Sequence, residues 1–183
     1  MRKHFSYALP AIIGIWAFLE ATVFFIMPDF LLCPAVIARP KQSRDILLMT
    51  VIGSVLGMTA LAAVCFACPG EIRRLFVYIP FTSDAMFEKV ILEINSSFSV
   101  FFQPFSGIPV KVWIWTAIIS KTNFFSFFTV IILGRVFRFL MVTLMSLGIE
   151  KIVGKPLRNY AVLFLPLYAI AFFIGLWYVS YYS

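Results

Sequence analysis

Apolar residues run through this chain in blocks too long and too continuous to be one face of a soluble helix. Ile46 to Cys68 holds 23 residues without a charge, enough to cross the ~30 Å hydrocarbon core of a bilayer. Phe124 to Gly148 is slightly longer but carries Arg135 and Arg138, and residues 160–181 form a third block whose far end bears Trp177, Tyr178, Tyr181 and, just beyond, Tyr182 as an aromatic belt. Two further blocks are broken. Residues 5–38 are interrupted at Met27-Pro28-Asp29 and again at Pro34, and residues 98–120 at Pro104, Gly107 and Pro109. Proline lacks the amide donor and disrupts a helix. Pro69 to Lys89 is polar, with balanced charges, and reads as a loop. Out of it, residues 83–97 set Met86, Phe87, Val90, Ile91 and Ile94 against Glu88, Lys89 and Glu93, the pattern of an amphipathic helix lying along an interface.

This pattern predicts an all-α integral membrane protein of one domain, residues 1–183. Two opposed re-entrant helical hairpins, 5–38 and 98–120, accompany about three transmembrane helices, 46–68, 124–148 and 160–181. Irregular backbone at membrane depth survives only where it is buried in protein or lines water. The length of residues 5–27 permits either a span or a re-entry. An offset of 81 residues places Pro28 on Pro109 and Gly53 on Gly134. Each half then reads as a broken hairpin followed by one crossing, and a single net crossing per half makes the repeat inverted.

Composition and charge sharpen the class. The 183 residues are 62% hydrophobic, with mean hydropathy +1.00 and formal charge +7. The cations sit at the ends of apolar blocks instead of forming one basic patch, which argues against nucleic acid and for orientation in a membrane. Arg2-Lys3, the Arg39–Asp45 loop and Glu150–Arg158 are accordingly assigned to the cytoplasm. Pro10, Trp16 and Glu20 interrupt any signal-peptide core, so the N-terminus is expected to be retained. Cys65 and Cys68 form a C-x-x-C without a thioredoxin-like context and read as packing cysteines. His4 is the single histidine; neither a catalytic set nor metal-ligand spacing is present, and the expectation is a non-enzyme without metal or cofactor.

Five charges stand inside apolar surroundings: Glu20, Asp29, Lys111, Arg135 and Arg138. Such residues face a protein interior or a wet cavity and mark pathways or coupling sites. The carboxylates are candidates for taking and releasing a proton, and the three bases for attracting an anionic headgroup. Arg135 and Arg138, three residues apart, share a helix face. Gly53, Gly57 and Gly134 read as positions where a second helix approaches closely.

Glu20, Pro28-Asp29 with Leu31-Leu32, Ala38-Arg39-Pro40, Gly53-Ser54-Val55-Leu56-Gly57, Phe105-Ser106-Gly107-Ile108-Pro109-Val110-Lys111 and Gly134-Arg135-Val136-Phe137-Arg138-Phe139 occur in this order. Together they resemble the DedA family of membrane proteins, also called the VTT or SNARE-associated Golgi protein family, and within it the short YqaA-like bacterial branch. The resemblance implies a multi-pass protein of the bacterial inner membrane with two opposed re-entrant hairpins. It also implies a flippase or scramblase for polyprenyl-phosphate or phospholipid, with membrane lipids as partners and the family's acids and bases falling on the five charges named above. A proton-coupled transporter of a small solute and a non-transporting accessory protein are the alternatives. The oligomeric state stays open.

Overall fold

The computed structural model describes residues 4–23, 27–77 and 84–153, side chains 4–7 and 75–77 excepted. The expected helix at 160–181 lies outside them. Among the described residues the regular structure is all helical: α1 His4–Thr22, α2 Asp29–Ala38, α3 Ser43–Ala67, α4 Pro69–Val77, α5 Asp84–Glu93, α6 Ser97–Phe101, α7 Val110–Ile119 and α8 Phe124–Val153, with 3₁₀ turns at Pro40–Gln42 and Gln103–Phe105. α3 and α8 are long and apolar enough to cross a membrane. Their outward faces are apolar too. Leu48, Ile52, Leu56 and Val64 on α3, and Leu133, Leu140, Leu144 and Met145 on α8, are exposed among the described residues, a surface compatible with a membrane protein.

Several boundaries differ from the sequence reading. Pro34 was expected to add a second break to the first hairpin, but it lies inside the continuous α2; of the two expected positions only Pro28 stands at a helix boundary, directly before α2 with φ −58°. Pro69 to Val77 is helical, not loop: Pro69 opens α4, Glu71 sits in its first turn and Arg74 in its last, each sign favoured by the helix dipole. α5 stops at Glu93 because the chain turns at Asn95-Ser96, where the Ser99 amide donates to Ser96 Oγ at 3.3 Å and starts α6. Within α5, Phe87 and Val90 are buried as expected while Ile91 points outward. α8 continues past Gly148 and takes Glu150 and Lys151 into its last turns. Pro104 falls in the second 3₁₀ turn and Pro109 directly precedes α7. Gly107 has φ +75°, a left-handed conformation that other residues adopt only at a cost. Cys65 is a free, buried core thiol and Cys68 is free and exposed.

The offset of 81 recurs in the elements themselves. α2 and α7 are both ten residues long and start 81 apart, as do α3 and α8. The packing recurs as well. α1 lies on α3 and α6 on α8, while α2 crosses to α8 and α7 crosses to α3. Gly14 meets Met49 and Gly53, and Phe18 with Ala21 meets Gly57, so α1 and α3 run in the same direction and α2 returns the chain between them. In the second half Asn95 and Ser97 lie beside Asn123 and Ser126, Phe101 beside Gly134, and Phe105 beside Arg138; the α6 segment runs with α8, and α7 returns.

Two apolar clusters set the relative direction of the halves. One joins α2 residues Leu32, Ala35 and Val36 to Ile46 at the start of α3 and Phe139 in the second half of α8. The other joins α7 residues Trp113, Ile114 and Ala117 to Met58, Leu61 and Cys65 late in α3 and to Phe127 and Ile131 early in α8. The start of α3 thus shares a layer with the later part of α8, and α3 and α8 run in opposite directions.

The glycine contacts hold this arrangement. A Cβ at Gly53 would overlap the backbone of Gly14, and one at Gly134 the backbone of Phe101. Both clashes are with backbone, which cannot rotate away, so Gly53→Ala and Gly134→Ala should each cost at least the roughly 1–3 kcal/mol of an overpacked core. Gly148, with open space around it, should tolerate alanine or gain up to about 1 kcal/mol in helix propensity. Thermal unfolding of the three detergent-solubilised variants checks the ranking.

Candidate functional site

The five charges that stand in apolar surroundings converge. Arg135 on α8 donates from Nη2 to Glu20 near the end of α1. One turn further along α8, Arg138 pairs with Asp29 in the first turn of α2, its Nε donating to Oδ2 at 2.6 Å. Lys111, in the first turn of α7, donates from Nζ to the Val23 carbonyl at 3.2 Å. That carbonyl directly follows α1, where helix acceptors lack internal partners and the dipole favours a cation. Each base predicted from sequence therefore has a protein acceptor, and α8 supplies both arginines because residues three apart share its inner face.

The pairs differ in burial. The Arg135 and Glu20 side chains are 7% and 11% exposed, whereas Arg138 and Asp29 are 18% and 17% exposed. The first pair is locked into the protein and the second lies nearer the opening. Aromatic rings complete the setting: Phe139 lies 5.5 Å from the Arg135 guanidinium and Phe105 5.5 Å from that of Arg138, both within cation–π range.

All five charged residues line one cavity of about 380 Å³. The breaks predicted from sequence are its rim: Pro28, Pro104, Gly107 and Pro109 are in the wall, and Pro34 is not. The cavity sits between the two apolar clusters, at the level where α2 and α7 begin. Neither helix has a side chain capping its first turn, so both N-termini add partial positive charge to three bases and two carboxylates. Gly53, Gly57 and Gly134 lie outside the lining; they draw α1 and the α6 segment against the long helices and so bring the broken ends within reach.

Sequence reasoning missed four participants. Met27 accepts from Arg138 Nη2 at 3.0 Å through its sulfur, Phe105 and Phe139 cover the arginines, and Gln103 lines the wall. Gln103 alone left a signal, a single amide in the apolar run Phe98 to Phe105.

No protein-family model matches the chain, and no solved structure matches it. The chain is similar to an uncharacterized protein of Haemophilus influenzae, 28% identical over 162 residues that cover 86% of this chain and 84% of the relative.

The buried pair makes a direct prediction. Removing one partner of such a pair leaves the other charge unmatched at a cost of about 3–5 kcal/mol, while replacing both with apolar groups is often neutral. Glu20→Leu and Arg135→Leu should each lower thermal stability sharply, and the double variant should recover most of the loss. A double-mutant cycle on unfolding of the purified protein measures this.

Proposed function

We propose that this protein is a DedA-like lipid translocase of the bacterial inner membrane, which moves a lipid with a phosphate headgroup between leaflets through the charged cavity. The observation that carries the reading is the meeting of two oppositely directed, broken helical units at one cavity that holds every intramembrane charge of the described residues. Ten residues at 1.5 Å each make α2 and α7 about 15 Å long, half of the ~30 Å core. Asp29 and Glu20 pair with arginines at the middle of α8, so both helices start near the midplane. Each then returns towards the side from which its unit entered. On this reading residues 5–38 and 98–120 are re-entrant hairpins from opposite faces, and the 81-residue repeat is inverted. Substrate sites of many transporters lie at such a junction, with half-helix N-termini facing an anion.

The chemistry follows from competition. A phosphate oxyanion entering the cavity meets Lys111, Arg135 and Arg138, which bind it through charge-assisted hydrogen bonds. It must displace Glu20 or Asp29 to do so. Return of the carboxylate to its arginine releases the headgroup, and coupling of this exchange to a proton gradient is part of the proposal; no enzyme reaction or cofactor is needed.

Purified protein in proteoliposomes should move polyprenyl monophosphate faster than ordinary phospholipids, and a proton gradient should accelerate it. Glu20→Ala and Arg135→Ala should each reduce that rate at least tenfold. Unchanged movement in both variants would sink the site assignment. Movement of all lipids regardless of gradient would make the protein a scramblase. A second reading is favoured by the cavity volume, which falls in the 300–1,000 Å³ range of small-molecule sites: proton-coupled transport of a small anionic solute. Gradient-driven uptake of such a solute without lipid movement would select it.

A further inference from the structure

Arg138 stands apart from the other two bases of the cavity. Lys111 and Arg135 are buried, whereas the Arg138 side chain is 18% exposed and shares the cavity wall with Met27 and Gly107, both of them exposed. An added Cβ at Gly107 would meet nothing within 4 Å. Among the described residues, the mouth of the cavity therefore opens beside this cation.

The five N–H bonds of a guanidinium lie in one plane and form two forks, Nε with Nη2 at the side and Nη1 with Nη2 at the end. In Arg138 the side fork is closed: Nε donates to Asp29 Oδ2 at 2.6 Å and Nη2 contacts the same oxygen. The Phe105 ring, 5.5 Å from the guanidinium carbon, steadies the group by a cation–π contact. The end fork is held differently. Nη2 also donates to Met27 Sδ at 3.0 Å, an exposed contact, and Nη1 has no hydrogen-bond partner among the described residues. A thioether is a weak, uncharged acceptor, so charge at this fork is met only by sulfur. Met27 and Asp29 flank Pro28, and one break in the chain thus supplies both ligands of Arg138.

Resting on the reading of the cavity as a phosphate-headgroup site, we infer that the end fork of Arg138 is a docking subsite where a phosphate monoester first binds, and that Met27 is its displaceable occupant. Two phosphate oxygens take Nη1 and Nη2 in the paired geometry that arginine offers to oxyanions, the sulfur moves aside, and Asp29 keeps the side fork. The anion is captured at the mouth before any carboxylate is displaced. Sulfur and phosphate compete for one N–H, so position 27 tunes affinity with an inverted sign: a poorer acceptor there strengthens binding.

The test titrates monomethyl phosphate calorimetrically into the purified full chain in detergent near neutral pH. Met27→Leu keeps the volume and removes the acceptor; it should bind the ester about threefold tighter, the scale of one modest hydrogen bond. Met27→Gln brings a stronger acceptor and should bind it about threefold weaker. Arg138→Lys keeps a charge for Asp29 but loses the fork, and should weaken binding at least about tenfold. In wild type with isotope-labelled methionine methyl groups, the Met27 resonance should move saturably with the ester while that of the fully buried Met58 stays in place. No binding in wild type, leucine-variant affinity at or below wild type, full affinity in the lysine variant, or an unmoved Met27 resonance would overturn the inference. If a variant does not fold, the wild-type resonance decides.

A lipid arm separates the subsite from the transport reading: proteoliposomes carrying phosphatidic acid, whose headgroup is the same monoester. Soluble binding with the expected order of variants but no lipid movement would keep the subsite, as one for a free phosphate ester, and remove lipid transport. Lipid movement without binding of the soluble ester, and unaltered by either Met27 variant, would remove the subsite and leave transport standing.

Discussion

A charge in hydrocarbon has to be matched, and the interior of this protein is arranged around that requirement. Arg135 sits near the middle of a 30-residue apolar helix, where an unpaired guanidinium costs several kcal/mol. Glu20 answers it from a different part of the chain, 115 residues away. The pair therefore does more than neutralise a charge: it pins the end of α1 to the midpoint of α8. Arg138 and Asp29 repeat the connection one turn along, tying the start of α2 to the same helix. Lys111 links the start of α7 back to the end of α1. Three polar links thus gather all the broken helix ends at one level, and the apolar clusters above and below are what remains once the charges have been collected.

Close approach makes those links reachable. Gly53 and Gly134 occupy corresponding places in α3 and α8, and each admits the backbone of the preceding segment to a distance that any side chain would forbid. Without them α1 and the α6 segment would stand off from the long helices, and the side chain of Glu20 would have farther to reach. The correspondence extends to lengths and partners: two ten-residue helices, each preceded by a proline, each packing on the long helix of the other half. Such an exchange makes the two halves interdependent, because neither short helix has its full apolar partner within its own half. The cavity is consequently shared between halves, with acids from the first and bases from the second.

Much of this was legible in the residues. Charges in apolar blocks identify themselves, because hydrocarbon tolerates so few of them, and all five appear in the cavity. Pro28, Pro104, Gly107 and Pro109 stand at helix boundaries or turns, because each acts on its own backbone. Pro34 misled for a local reason: its missing donor falls within α2, which accommodates the loss in a continuous ten-residue helix. α4 was hidden by its charges, which make it read as loop although Pro69, Glu71 and Arg74 follow helix-end preferences. Which acid meets which base depends on helix register between halves, and single-sequence periodicity carries no information on that. Gln103 left a signal, a lone amide in an apolar run, but only the Ile108 carbonyl opposite its nitrogen shows what it braces.

The central claim is that each half enters the membrane, breaks at the midplane and returns, the two from opposite faces. Impermeant-thiol labelling of single cysteines, in a background lacking Cys33, Cys65 and Cys68, tests it most directly in intact and inside-out vesicles. Ser6→Cys in α1 and Lys41→Cys after α2 should label from one face, and Ser96→Cys before α6 and Thr122→Cys after α7 from the other. Labelling of positions 6 and 41 from opposite faces would mean that α1 and α2 together cross the membrane, and would contradict the account.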